Sequence, residues 1–270
     1  MSINNSANCV PVDFDPFAGG ELIQTFAATE AQREVWTASQ LGPDASCAFN
    51  ESVSVKLTGA VDEPALERAV QDLYLRHESL RAVFSSDGEQ VCILADSVAL
   101  VERLDLSNLS DENRAQELAA LARREVERPF DLENGPLFRA TIVRKSTGCV
   151  LLILTAHHIV CDGWSMFLLL KELGPLYNAA REGRRAQLPE AQPFSSYARY
   201  VAQLDDSGVC EYWRKLFAGS IPVVDLPSDN PRPARRSFAS AREDYWFSLE
   251  NVTKLKQFAI KQKVSFFTLL

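Results

Sequence analysis

The feature that most constrains this chain is a short apolar run, Val150 to Leu154, leading into Thr155-Ala156-His157-His158-Ile159-Val160-Cys161-Asp162-Gly163-Trp164-Ser165. The run is brief, partly β-branched and entered through a Thr147-Gly148 turn, which reads as a buried strand. Met166-Phe167-Leu168-Leu169-Leu170-Lys171-Glu172-Leu173, directly after the segment, reads as a helix. Two of the chain's three histidines therefore stand side by side at a strand's C-terminal end, with Asp162 and Gly163 at the mouth of the next helix. In α/β folds, ligands sit in the crevice beyond such strand ends.

The flanking patterns supply a scaffold. Thr29-Glu30-Ala31-Gln32 is a capping box opening a helix to about Gln40 that carries Val35 and Trp36, and Gly42-Pro43 stops it. Ser52 to Leu57 alternates as a strand with one wet face. Asp62 and Pro64 open a helix with Leu66, Val70 and Leu73 on one face, ending near His77. Strands around Leu80 to Phe84 and Gln90 to Leu94 form a hairpin across Ser86-Asp87-Gly88, and Val98 to Leu104 is a further strand. Ser110 caps a helix through Arg128 whose expected buried stripe is Leu118, Leu121, Ala122 and Val126. Leu137 to Val143 pairs with the histidine strand as a hairpin.

Beyond a helix stop near Gly183 come helices at Phe194 to Leu204 and Glu211 to Phe217, then a proline-rich connector from Leu226 to Pro233. Glu243 to Leu249 alternates as a strand and Val252 to Lys261 is helical. The expected layout is a linker or arm over residues 1–22, a first lobe over 23–190, connecting helices and connector over 191–240, and the start of a second lobe over 241–270. The last residues, Val264 to Leu270, form an apolar run without cap, glycine or polar tail, the expectation for a truncated chain.

Composition narrows the function classes. A net charge of −8 argues against nucleic acid as the main partner, because neutralising its backbone needs a basic face. No segment approaches the roughly 20 apolar residues of a membrane span. The N-terminus lacks the basic start and apolar run of a signal peptide, so a cytoplasmic location is expected. Six scattered cysteines, with no C-x-x-C spacing, read as reduced, packed thiols rather than a disulfide framework or zinc site.

An imidazole with a near-neutral pKa is a natural general base. Gly163 leaves a backbone N–H open to a reacting oxygen, and the positive end of the following helix favours a developing oxyanion. That combination suits acyl transfer. Plainer readings stand beside it: Asp162 as nothing more than a helix N-cap, and the histidine pair as hydrogen-bonded packing. A metal site fits poorly, because adjacent strand residues point to opposite faces and the third histidine is His77. Cys161 as a nucleophile would need a lowered thiol pKa.

The pattern His157-His158-Ile159-Val160-Cys161-Asp162-Gly163 resembles the H-H-x-x-x-D-G signature of the condensation domains of nonribosomal peptide synthetases, in the chloramphenicol acetyltransferase-like superfamily. Further landmarks follow in the family's order. Thr29 to Trp36 resembles the opening helix, Arg76-His77-Glu78-Ser79-Leu80-Arg81-Ala82-Val83-Phe84 the R-H-E-x-L-R-x-x-F segment, and Phe194 to Ala198 the Y-x-D-F-A region. Tyr212-Trp213 and Leu226 to Pro233 complete the series, and Ser196 departs from it where the family carries an aspartate.

The resemblance implies an α/β (α+β) lobe with a mixed, largely antiparallel sheet and flanking helices. It implies that His158 is the catalytic histidine, acting as base or positioning group, and that Gly163 places its N–H near the reacting carbonyl. His157 and Asp162 support the site structurally, Arg76 and Arg81 are scaffold, and Trp164 and Tyr197 pack. The whole domain would join a carrier-bound acyl thioester to a carrier-bound aminoacyl amine, in a synthetase or a hybrid with a polyketide synthase. No metal or bound cofactor is implied, the substrates riding on 4′-phosphopantetheine. The implied partners are an upstream donor carrier, a downstream acceptor carrier and the remaining C-terminal lobe. These residues alone would be inactive or nearly so. His157, where the heterocyclising branch has aspartate, argues against that branch. The alternatives are a small-molecule acyltransferase of the superfamily and a non-catalytic docking module on the same fold.

Overall fold

The computed structural model describes residues 21–95, 97–231, 233–234, 237–240 and 243–270. They fall into two compact units divided between residues 236 and 237.

The first unit is built on two sheets. Strands β1 (Leu22–Ala27), β3 (Ala82–Phe84) and β4 (Gln90–Leu94) form one, in the order β1-β4-β3 and fully antiparallel. Strands β2 (Asn50–Thr58), β5 (Leu100–Asp105), β6 (Phe138–Ser146) and β7 (Cys149–His157) form the other, ordered β2-β7-β6-β5. β7 lies between antiparallel neighbours, and only the β5–β6 pair is parallel. This is the mixed, largely antiparallel sheet expected.

Alternation along β7 decides what each face becomes. Leu152, Leu154 and Ala156 join Phe138, Ala140 and Ile142 of β6 in a core closed by α3 (Glu63–Arg76) and α5 (Gly163–Arg181). Leu66, Val70, Leu73 and Tyr74 supply the α3 side, and Met166, Leu169, Leu173 and Leu176 the α5 side. Leu151 and Ile153 point to the opposite face, where Val143 and α4 (Asp111–Glu127) cover them through Leu118 and Leu121.

The expected stripe of α4 is rotated. Leu121 is buried, but Ala122 is exposed, Val126 is 41% exposed, and the second buried position is Glu125. Apolar counting could not place a carboxylate inside. Arg139 reverses that penalty: its Nε donates to Glu125 Oε2 at 2.8 Å, while Thr141 Oγ1 and Thr155 Oγ1 donate to the same carboxylate at 3.2 and 3.3 Å. Glu125 and Arg139 are 1% and 3% exposed.

Helix α1 (Glu30–Ser39) opens on the capping box, with Thr29 and Gln32 satisfying each other's backbone. Its Trp36 packs beneath the β3–β4 turn, where Gly88 has φ +73° and any Cβ would collide with the indole ring. Pro43, expected only to stop α1, also starts the short α2 (Pro43–Cys47). Strand β1 was not expected. Its pattern is ordinary, and pairing with β4 is what makes it a strand. α6 (Phe194–Val201) packs by Ala198 and Phe194 onto this smaller sheet, and α7 (Ser207–Leu216) follows with no buried residue.

The second unit contains α8 (Leu249–Gln262), capped by Ser248, and the one-turn α9 (Phe266–Leu269). Glu243 to Leu249 is not a strand. Among the described residues no strand pairs with it, and alternation alone forms no ladder. Within the terminal run, Ser265 Oγ accepts from Thr268 N at 3.0 Å and caps the start of α9. The arm expected over residues 1–22 lies outside the described residues up to residue 20.

Candidate functional site

β7 runs on through His157, so the first histidine still obeys strand alternation while the second begins the turn His158-Ile159-Val160. His157 falls on the α4 face and is fully buried. The Ile159 N–H donates to its Nδ1 at 3.3 Å, so the ring proton belongs on Nε2, 3.5 Å from Ser46 Oγ. Phe49 and Phe130 pack against the ring at 5.9 and 6.2 Å between centroids. Burial drives the His157 pKa down to about 4, against a weaker upward pull from Ser46, and the adjacent His158 adds to the depression. His157 is a neutral packing group at physiological pH.

His158 faces the other way. Its backbone N–H donates to Phe49 O at 2.8 Å, fixing the main chain, while its side chain is 50% exposed. Nε2 lies 3.9 Å from Glu51 Oε2, beyond hydrogen-bond length. The ring reaches a cavity of about 600 Å³ whose walls include Phe26, Val35, Phe194, Asp162 and Ser165. Gln32 closes the back of this corner: the amide that completes the capping box also donates from Nε2 to Ile159 O at 3.3 Å.

Asp162 is the N-cap of α5. Its Oδ1 accepts from Ser165 N at 2.8 Å and Ser165 Oγ at 2.6 Å, and these bonds hold its carboxyl below the usual carboxylate range. Gly163 is the first helical residue and is exposed. A Cβ there would meet only Glu51 Oε1, at an ordinary 3.6 Å, so the fold itself does not demand glycine. What a methyl group would occupy is open approach to the helix mouth, where first-turn N–H groups have no intrahelical partner.

The other singled-out residues lie elsewhere. Arg76 Nε donates to Glu172 Oε2 at 2.9 Å, beside a 2.8 Å contact from His77 Nε2, and its NH2 donates to Pro189 O. Arg81 donates to Leu94 O at 2.8 Å. Both bind scaffold. Trp164 is not packed as expected: just past the cap on the outward side of α5, it is 82% exposed and touches Phe167 edge-on. Tyr197 is also exposed, rests on Phe194 and lines the cavity. Burial pushes the Cys161 thiol up to about 12, with Glu51 and Asp162 adding to it, so it is no nucleophile. Among the described residues no group of three His, Cys, Asp or Glu could hold a metal ion, and no helix is long and apolar enough to cross a membrane.

Glu51, 3.9 Å from the His158 ring, is a neighbour that the pattern of the chain conceals. The alternation noted from Ser52 extends one residue further back, and it puts Glu51 on the stripe of Val53, Val55 and Leu57, which faces the α3–α5 core. A carboxylate on an apolar stripe was the available signal.

The His158 imidazole and the N-cap of α5 thus share one cavity wall at the end of a mixed sheet. The chain belongs to the condensation-domain family, whose model matches residues 23–270. It is 37% identical over 218 residues to a linear gramicidin synthase protein of Brevibacillus parabrevis, covering 78% of this chain and 4% of that protein. It is also 37% identical over 250 residues to the phosphinothricin tripeptide synthetase PhsC of Streptomyces viridochromogenes, covering 89% of this chain and 23% of that protein. The chain thus spans a small part of each of these relatives. Among solved structures it is similar to the starter condensation domain of the rhizomide synthetase RzmA, with TM-score 0.63 and 25% identity over 75% of this chain and 51% of that one. It is also similar to a chain in the complex of the X-domain and OxyB from teicoplanin biosynthesis, with TM-score 0.71 and 25% identity over 88% of this chain and 53% of that one. The fold is accordingly the chloramphenicol acetyltransferase-like fold of condensation domains.

Proposed function

We propose that this chain is part of a condensation domain that forms an amide between a carrier-bound acyl thioester and a carrier-bound aminoacyl amine. The observation that carries the reading is the placement of His158: half-exposed, over a cavity whose wall it shares with Asp162, the N-cap of α5. In this reading His158 takes or positions the proton of the attacking amine. Gly163 offers its N–H to the carbonyl oxygen as negative charge develops there. Asp162 fixes the helix mouth and His157 anchors the end of β7. Arg76 and Arg81 hold the surrounding elements.

Both substrates arrive on phosphopantetheine arms of donor and acceptor carriers in the cytoplasm. Residues 23–190 serve as the first lobe and 191–240 as connector, with 241–270 opening the second; the division at residues 236 and 237 supports the last boundary. Alone, the 270 residues turn over little, because the second lobe supplies the facing wall.

The longest natural protein containing these residues, given acyl-loaded donor and aminoacyl-loaded acceptor carriers, should yield the amide by mass spectrometry. The 270-residue chain should yield under about a hundredth of that rate. The similarity to a chain in the complex of the X-domain and OxyB favours a second reading, a docking module. Folded full-length protein that makes no amide with any of the twenty amino acids would decide for it.

A further inference from the structure

Glu51 stands on the core-facing stripe of β2, opposite Ala156 of β7, two residues before His158. Its side chain is 30% exposed, yet Oε2 is buried and has no hydrogen-bond partner. Leaving a carboxylate oxygen buried and unpaired is costly, and such groups call for a functional account. The nearest cationic candidate, His158 Nε2, is 3.9 Å away, too far for a hydrogen bond. The neighbouring Asp162 already serves as the cap of α5, its Oδ1 accepting twice from Ser165. Glu51 Oε1 lies against the open side of Gly163. A carboxylate with one buried oxygen lacking a hydrogen bond thus lies near both the imidazole and the helix mouth.

We propose that Glu51 reads the charge of the acceptor: its carboxylate pairs with the ammonium form of the incoming amine and holds the nitrogen beside His158. This rests on the amide-forming reading above. The acceptor R–NH3+ docks on Glu51 and loses one proton to His158, which releases it to solvent. The freed lone pair forms the C–N bond to the thioester carbon as the C–S bond breaks. The nitrogen's surplus proton leaves with the sulfur as the thiol. Glu51 ends as it began, an ionised carboxylate. A neutral 2-hydroxyacyl acceptor of the same shape would bind without this ion pair.

The test uses the longest natural protein containing these residues and the amino acid that it condenses fastest, loaded on the acceptor carrier. The same carrier loaded with the matching 2-hydroxy acid serves as competitor. The parent should half-saturate with the amine at a concentration about tenfold below that at which the hydroxy analogue inhibits. Glu51→Gln should erase that preference by weakening the amine alone, and Glu51→Asp should restore part of it. A preference that persists in Glu51→Gln, or a loss shared equally by amine and hydroxy acceptors, would overturn the proposal while leaving the functional reading intact. If the parent forms no amide at all, the functional reading fails first, and the assignment of Glu51 fails with it.

Discussion

On the α4 face of β7, the buried ionisable groups are answered by other protein groups. Glu125 meets Arg139, Thr141 and Thr155, and the His157 ring lies between Ser46, Phe49 and Phe130. One residue later, at the α5 mouth, the polar groups are left open: His158 is half-exposed and Glu51 Oε2 is unpaired. The two histidines are chemically identical and adjacent in sequence. Strand alternation carries one into a satisfied interior, and the end of the strand releases the other to a cavity. Paired ionisable groups on one face give stability and definite geometry; on the other, groups stay open to a further partner.

If that contrast is right, damage to the α4 face should cost stability first. Glu125→Ala removes the carboxylate paired with the buried Arg139 guanidinium and should lower unfolding free energy by about 3 kcal/mol in urea titrations. A loss under about 1 kcal/mol would mean the pair is not the buried tie described.

A smaller effect comes from pH. The unfolded His157 takes up a proton as pH falls below its ordinary 6.5, whereas the folded ring resists until about 4. Between those values the unfolded state binds more protons, so stability falls as pH falls. From pH 7 to pH 5 the contribution is about 2 kcal/mol, and His157→Gln should remove that increment from the difference between the two pH values. Equal acid sensitivity in parent and variant would show that His157 is not held neutral.

Much of this contrast was legible in the residues because it is local. The apolar run, the capping aspartate, the Thr29–Gln32 box and the Asp62 cap each act within a few positions, and the structure uses all of them. What escaped depends on partners distant in sequence. α4 turns Glu125 inward only because Arg139 waits on β6, and β1 exists only through β4. The alternation at Glu243 to Leu249 looked like a strand and has none beside it among the described residues. Glu51 was hidden for a different reason: the alternation is clean only from Ser52, one residue too late for its odd carboxylate to show.

The most direct measurement puts His158→Ala beside the parent, in the longest natural protein containing these residues, and reads condensation rate and unfolding midpoint on the same preparations. Because the His158 side chain is half-exposed and lies over a cavity, the midpoint should hold while the rate falls by about a hundredfold or more. A variant that condenses carrier-loaded substrates at the parent rate would contradict the division of labour between the two histidines.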